Sequence, residues 1–212
     1  MDNRVSTSSR RAVSAVRAVA DVIERSPMGK VAFLRAAIRD FHHVGTLWPS
    51  SHAAARQIAS LLGPDRRYVV EYGAGDGVVS TELLAAMPDD GTLLALEINE
   101  EFCEALTQMG DEMGDERLIV RRRDIVEFVR EGARELPRID AVVSGIPLSF
   151  HSAEERAMIV RRTRELLAPG GVFIIYQVSP VFFPAVKREF PKARLQMSPR
   201  NLPPYFICVA EK

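Results

Sequence analysis

The chain has 212 residues, 47% of them hydrophobic, with 28 Lys and Arg balancing 28 Asp and Glu, enough apolar material for one globular domain with a buried core. No run of about 18 apolar residues can span a bilayer, the N-terminal MDNRVSTSSRR lacks the apolar stretch and cleavage site of a secretory signal, and Cys103 and Cys208 match no metal-ligand or redox spacing. The expectation is a cytoplasmic protein with reduced thiols, neither integral nor exported by that route.

The N-terminal fifth differs from the rest. Residues 1–50 hold eight Arg or Lys against four acids, a net of +4 that the remaining residues cancel. Over residues 30–42, Val31, Leu34, Ile38 and Phe41 form one apolar stripe at helical spacing, with Arg35, Arg39 and His43 opposite. Residues 10–25 repeat the design, with Val13, Val16, Ala20 and Ile23 on one face and Arg10, Arg17 and Asp21 across from it. A basic amphipathic helix can lie among lipid headgroups, gaining about 1 kcal/mol per basic residue near anionic lipid. Packing against the body of the protein is the competing reading.

From residue 65 onward the pattern alternates short β-rich runs with helical stretches. Strands are expected at 67–72, 92–98, 117–120, 139–144, 172–178, 193–198 and 204–210. Ser50 and Ser51 are placed to cap the helix HAAARQIASLL, and Asn99 precedes two acids in a first turn. Asp124 and Ser152 each have a Glu three residues later, the capping-box spacing, and Pro180 follows Ser179 as a first-turn proline would. Such alternation gives a parallel, doubly wound α/β sheet. The short gap at 199–203 makes the last two strands an antiparallel hairpin at the sheet edge. The expected division is a basic helical segment, residues 1–50, and a ligand-binding domain, residues 51–212.

The chemistry starts at residues 69–77, VVEYGAGDG. This is the end of the first strand and its following turn, where a doubly wound sheet binds its ligand and small residues let the ligand approach the backbone. Gly73, Gly75 and Gly77 are spaced two apart and Val78 follows, so the third glycine of a dinucleotide fingerprint and the Lys of a P-loop are both missing. Glu71, two residues before the turn, would repel a pyrophosphate but can hold an ammonium, directly or through water. S-adenosylmethionine has that ammonium and no phosphate. Glu97, at the end of the second strand, is placed to accept from ribose hydroxyls, with Ile98 beside it; Asp124, after the third, can accept from an adenine amino group, with Ile125 beside it.

This arrangement resembles the class I S-adenosylmethionine-dependent methyltransferases over residues 65–212. The resemblance implies a Rossmann-like seven-stranded sheet with a reversed final strand, a turn before the fifth strand formed here by Pro169, Gly170 and Gly171, and Ser144 at the rim of the cofactor site. At the end of the fourth strand, base-methylating relatives place an Asn or Asp and an aromatic ring; here Ser144, Gly145, Ile146, Pro147 and Leu148 stand there, which counts against a nucleobase acceptor. The run instead resembles the bacterial phospholipid N-methyltransferases. Phe33, Phe41, Gly45, Pro49, Ser50 and Ser51 match that family's F…F…G-x-x-x-P-S-S pattern, Tyr176, Ser179 and Pro180 its Y…SP, and Asn201 to Pro204 its NLPP. The resemblance implies methylation of a lipid amine, phosphatidylethanolamine first, by a peripheral enzyme on the inner face of the membrane that docks to anionic lipid through residues 1–43. A ribosomal RNA adenine N6-methyltransferase and a non-catalytic cofactor-binding module remain the alternatives; no nucleic-acid partner is expected.

Methyl transfer from a sulfonium needs an uncharged amine held in line and shielded from water. Tyr176, by hydrogen bond or cation–π contact, and His151, as proton acceptor, are the catalytic candidates. Asp40, His42, His43 and His52 meet no ligand spacing, so no metal is expected, and Arg121 to Arg123 are expected as a solvated corner.

Overall fold

The computed structural model describes residues 50–201 and 203–212. The two basic stripes, residues 10–25 and 30–42, and the Phe33 to Pro49 part of the motif lie outside the described residues. The elements, in order, are α1 (His52–Ala59), β1 (Tyr68–Tyr72), α2 (Val78–Ala86), β2 (Thr92–Glu97), α3 (Glu100–Met113), β3 (Leu118–Arg122), α4 (Ile125–Glu131), β4 (Ile139–Ser144), α5 (Ala153–Leu166), β5 (Leu167–Gln177), α6 (Phe183–Glu189), β6 (Arg194–Ser198) and β7 (Tyr205–Glu211). Short 3-10 turns at Leu148–Phe150 and Pro180–Phe182 follow β4 and β5.

One seven-stranded sheet runs β3-β2-β1-β4-β5-β7-β6. Its first five strands pair in parallel and β7 is antiparallel to both β5 and β6, which is the hairpin expected at the edge. The central strands are continuously buried runs, as parallel strands covered on both faces must be. One face packs Ile58 of α1 and Leu83 of α2 against Val69, Val143 and Ile174. The other packs Phe128 of α4, Ile159 of α5 and Val186 of α6 against Val70, Val142 and Phe173. Because β2 continues the sheet on one side of β1 and β4 on the other, the turn after β1 opens at the topological switch point.

Strand ends agree with the sequence expectation within two residues except in β5, which begins at Leu167. The register jumps from Ile139 opposite Leu167 to Ala141 opposite Val172, so Pro169, Gly170 and Gly171 sit inside a bulge of the strand rather than before it. Gly170 takes a positive φ of 72°, its N–H donates to the Lys212 carbonyl, and the Lys212 N–H donates to the Gly171 carbonyl, so the last residue closes the bulge. Helix starts follow the expected caps. Ser51 accepts from the Ala54 N–H, Asn99 from Phe102, Asp124 from Val126 and Glu127, and Ser152 forms a full capping box with Glu155.

Candidate active site

The three glycines after β1 do three different jobs. All have positive φ, a conformation that disfavours side chains. A Cβ on Gly73 would meet the Ile146 side chain at 2.7 Å, and one on Gly77 would meet Leu106 and Met109 of α3 at 2.9 Å, so these two permit close packing of the β4 loop and of α3. A Cβ on Gly75 would meet nothing within 4 Å: this position faces open space, and the turn around it forms a shallow cradle beside Glu97, which accepts from its N–H.

Glu71 and Glu97 flank that cradle. Glu71 is fully buried; its Oε2 accepts from the Ser80 hydroxyl at 2.6 Å, while Oε1 has no partner among the described residues. Burial pushes its carboxyl up to about 8 against the pull of the Ser80 hydrogen bond, and the nearby Glu97 and Asp76 charges add to the rise. A cation placed against Oε1 would supply what the site lacks. Glu97 ties the turn to the start of α3: Oε2 accepts from the Gly75 N–H at 3.0 Å, and Oε1 from Ile98 at 2.8 Å and Asn99 at 2.9 Å. A carboxylate has about four acceptor positions, so one remains for a further donor. The neighbouring Ile98 is 44% exposed, an apolar surface at the rim on which a flat ring can rest. Asp124 caps α4 through Oδ1 alone, with bonds of 2.7 and 3.2 Å, whereas Ile125 turns inward to the core beside Phe128. The open cradle, the unpartnered carboxylate and the apolar rim fit S-adenosylmethionine.

A second group of residues gathers beyond β4, β5 and β7. Tyr176 and Tyr205 pack with ring centroids 5.5 Å apart, and a Cβ on Gly145 would collide with the Tyr176 ring. Ser50 Oγ lies 3.1 Å from the Tyr205 hydroxyl. The Ser51 N–H donates to Asn201 Oδ1 at 2.9 Å and the Ser51 hydroxyl to the Arg200 carbonyl at 2.5 Å. Ser50, Ser51, Gly145, Tyr176, Asn201 and Tyr205, scattered over some 150 residues, therefore meet at one end of the sheet. Burial, with the Glu71 charge and then Tyr205, Asp76 and Glu97, pushes the Tyr176 hydroxyl well up, so it stays a neutral hydrogen-bonding group.

His151 follows the Leu148–Phe150 turn. Burial pulls its imidazole down, with Glu155, the Pro147 backbone, Asp124 and Arg156 as lesser influences, so the ring is neutral. Nδ1 is buried and without a partner among the described residues. Ser144 lies on a different side of the sheet from Glu71: it pairs with Tyr72 and Ile175 on the α4–α6 face, and its buried hydroxyl has no partner among the described residues.

Three further residues escaped the sequence reading. Tyr205 directly follows NLPP and its ring was the available signal. Asp76 sits inside the glycine turn and acts on Glu71, Tyr176 and Tyr205 together. Gln177, the last residue of β5, is 5% exposed with neither Oε1 nor Nε2 partnered among the described residues; nothing in its sequence context marks it. The arginine run is paired rather than merely solvated: Arg121 with Glu135, Arg122 with Glu100, and Arg123 with Glu131 and the face of Phe128. His52 lies 3.7 Å from Glu82, and no group of His, Cys, Asp and Glu among the described residues could hold a metal.

No family profile matches the chain. The ornithine lipid N-methyltransferase of Singulisphaera acidiphila is 27% identical over 164 residues, covering 76% of this chain and 84% of the relative. Among solved structures, the 1,6-didemethyltoxoflavin-N1-methyltransferase of Burkholderia thailandensis, with bound 1,6-didemethyltoxoflavin and S-adenosylhomocysteine, superposes with a TM-score of 0.68 at 17% identity, covering 88% of this chain and 92% of the other. The precorrin-6y C5,15-methyltransferase of Geobacter metallireducens superposes at 0.60 with 19% identity, covering 74% and 86%. The chain has the fold of the class I S-adenosylmethionine-dependent methyltransferases.

Proposed function

We propose that this methyltransferase transfers methyl groups to the amino headgroup of a membrane lipid, with phosphatidylethanolamine as the first candidate and an ornithine-headed lipid as the second. The observation that carries the reading is the convergence at one sheet end of Ser50, Ser51, Gly145, Tyr176 and Asn201, residues from four separate motifs that resemble the phospholipid N-methyltransferases. The similarity to an ornithine lipid N-methyltransferase supports the same acceptor class.

Glu71 and the open turn at Gly75 would hold the amino-acid end of the cofactor, and Glu97, Ile98 and Asp124 its nucleoside. When bound, S-adenosylmethionine supplies an electrophilic methyl, the amine forming its new N–C bond as the C–S bond breaks and that electron pair passes to sulfur. An ethanolamine-type ammonium must first lose a proton, and the neutral His151 imidazole, whose Nδ1 has no partner among the described residues, accepts it. Tyr176, neutral and buried beside Tyr205, presents an aromatic wall and a hydroxyl to the amine.

Docking to anionic lipid is assigned to residues 1–43, which carry most of the N-terminal positive charge; among the described residues no helix is long and apolar enough to cross a membrane. The test is transfer of labelled methyl to vesicles of phosphatidylethanolamine, to vesicles of ornithine lipid, and to ribosomal RNA. Label in either lipid supports the reading and names the headgroup; label in RNA alone replaces it. Removing residues 1–25 is expected to weaken binding to anionic vesicles at low salt and leave cofactor affinity unchanged.

A further inference from the structure

We propose that Gln177 binds the methyl acceptor: its carboxamide oxygen accepts an N–H of the amine being methylated, and its Nε2–H₂ donates to an oxygen of the same headgroup. The inference rests on the amine-methylation reading above and names a specificity residue for it.

Gln177 ends β5, next to Tyr176 and two residues before Ser179. Side chains alternate along a strand, so Gln177 shares the face of Phe173 and Ile175, opposite the face of Tyr176. Ser144 is paired with Ile175, which puts Gln177 one side-chain repeat farther toward the strand ends, about 7 Å on. Leu148 and Phe182 of the two 3-10 turns, both fully buried, lie on this face, and the turns pack against each other. Gln177 and the Ser144 hydroxyl are thus buried polar groups, unpartnered among the described residues, on one face at the carboxyl ends of β5 and β4.

That arrangement is costly. A carboxamide carries two donors and two acceptor lone pairs, and leaving such a group buried without partners costs on the order of 1–3 kcal/mol. A leucine there would fold as well or better, so a stability role does not account for it; a ligand that completes the hydrogen bonds does. The chemistry also favours an amide over an acid. A carboxylate would hold the acceptor as ammonium, the unreactive form, whereas a neutral carbonyl oxygen accepts one N–H of the free amine and leaves its lone pair available.

The test compares the full-length parent with Gln177→Leu and Gln177→Glu, measuring labelled methyl transfer to phosphatidylethanolamine and ornithine lipid vesicles, cofactor affinity by calorimetry, and thermal unfolding. Gln177→Leu is expected to lose about tenfold to a hundredfold in transfer, with parental cofactor affinity and an unfolding temperature equal to or above the parent's. Gln177→Glu is expected to move the pH–rate profile to higher pH. An active parent with Gln177→Leu at the parental rate, or with Gln177→Glu slowed but its profile unmoved, overturns the assignment alone. A loss of unfolding temperature in Gln177→Leu that matches its loss of transfer also overturns it, in favour of a structural role. A parent that methylates neither lipid overturns the amine-lipid reading and the role of Gln177 with it.

Discussion

The two halves of the rim are built differently. On the β1–β3 side, Glu71, the glycine turn, Glu97 and Asp124 each lie within a few residues of their own strand end, and most bonds that organise them are short in sequence: Glu97 reaches Ile98 and Asn99, Asp124 reaches Val126 and Glu127, and the longest, from the Gly75 N–H to Glu97, spans 22 residues. On the β4–β7 side the bonds are long-range, with Ser51 joined to Asn201 and Ser50 to Tyr205 across 150 and 155 residues. The proposed cofactor side is built from strand ends and the turns that follow them, whereas the proposed acceptor side forms only once the edge hairpin folds back over α1. Damage to the first side should therefore act on cofactor affinity, and damage to the second on acceptor use and local stability.

The largest effect should come from Gly75→Val. It forces a β-branched residue to a φ of +56° and fills the cradle, so cofactor binding is expected to fall beyond calorimetric detection, with on the order of 1–3 kcal/mol of stability lost to backbone strain. A variant that binds cofactor normally would show that the cradle is not the site. Glu97→Ala comes next. Removing an acceptor that serves three backbone N–H groups is expected to weaken cofactor binding by a few kcal/mol and to lower the unfolding temperature, because the turn and the start of α3 lose their shared tie.

Asn201→Ala sharpens the contrast from the other side. It strands the Ser51 N–H, and about 1–3 kcal/mol of stability and most methyl transfer are expected to go while cofactor affinity stays within twofold. Equal losses of cofactor affinity and transfer would mean that the two sides are one cooperative unit.

The smallest and most specific effect concerns protons. The Glu71 carboxyl is raised from an ordinary 4.5 to about 8, so its contribution to folding is fully present below pH 4.5 and is lost as pH rises through 8. Glu71→Gln should flatten that decline and stabilise the cofactor-free protein at neutral pH. In the parent, an ammonium against Oε1 ionises the carboxyl, so cofactor binding at pH 7 should release part of a proton, seen as binding heat that varies with the buffer. Buffer-independent heat in the parent would remove Glu71 from the ammonium's partners.

Much of the fold was legible before the structure because it is written in local patterns: the β-rich runs, the caps at Ser51, Asn99 and Ser152, and the short gap that makes a hairpin. The exception was β5, where a bulge around Gly170, closed by Lys212, carries pairing back to Leu167; a proline and two glycines read as a turn when the distant partner is unseen. The positions of the proposed cofactor residues were legible for the same reason as the strands, since their spacing from a strand end is covalent. Ile125, expected beside Asp124 among the cofactor residues, has its side chain in the core, because the acid before it caps the helix and the next side chain turns inward.

The amino-acid sequence alone determined the alternation of strands and helices, the acid-and-glycine turn and, through it, the kind of ligand that turn can hold, because each depends on residues within one turn or one strand of each other. Tertiary structure alone decided that Ser144 and Gln177 share a face away from Glu71, that Asp76 acts on both halves of the rim, and that Ser51 rests on Asn201. Those relations follow from strand order and register, which set neighbours across the sheet irrespective of distance along the chain.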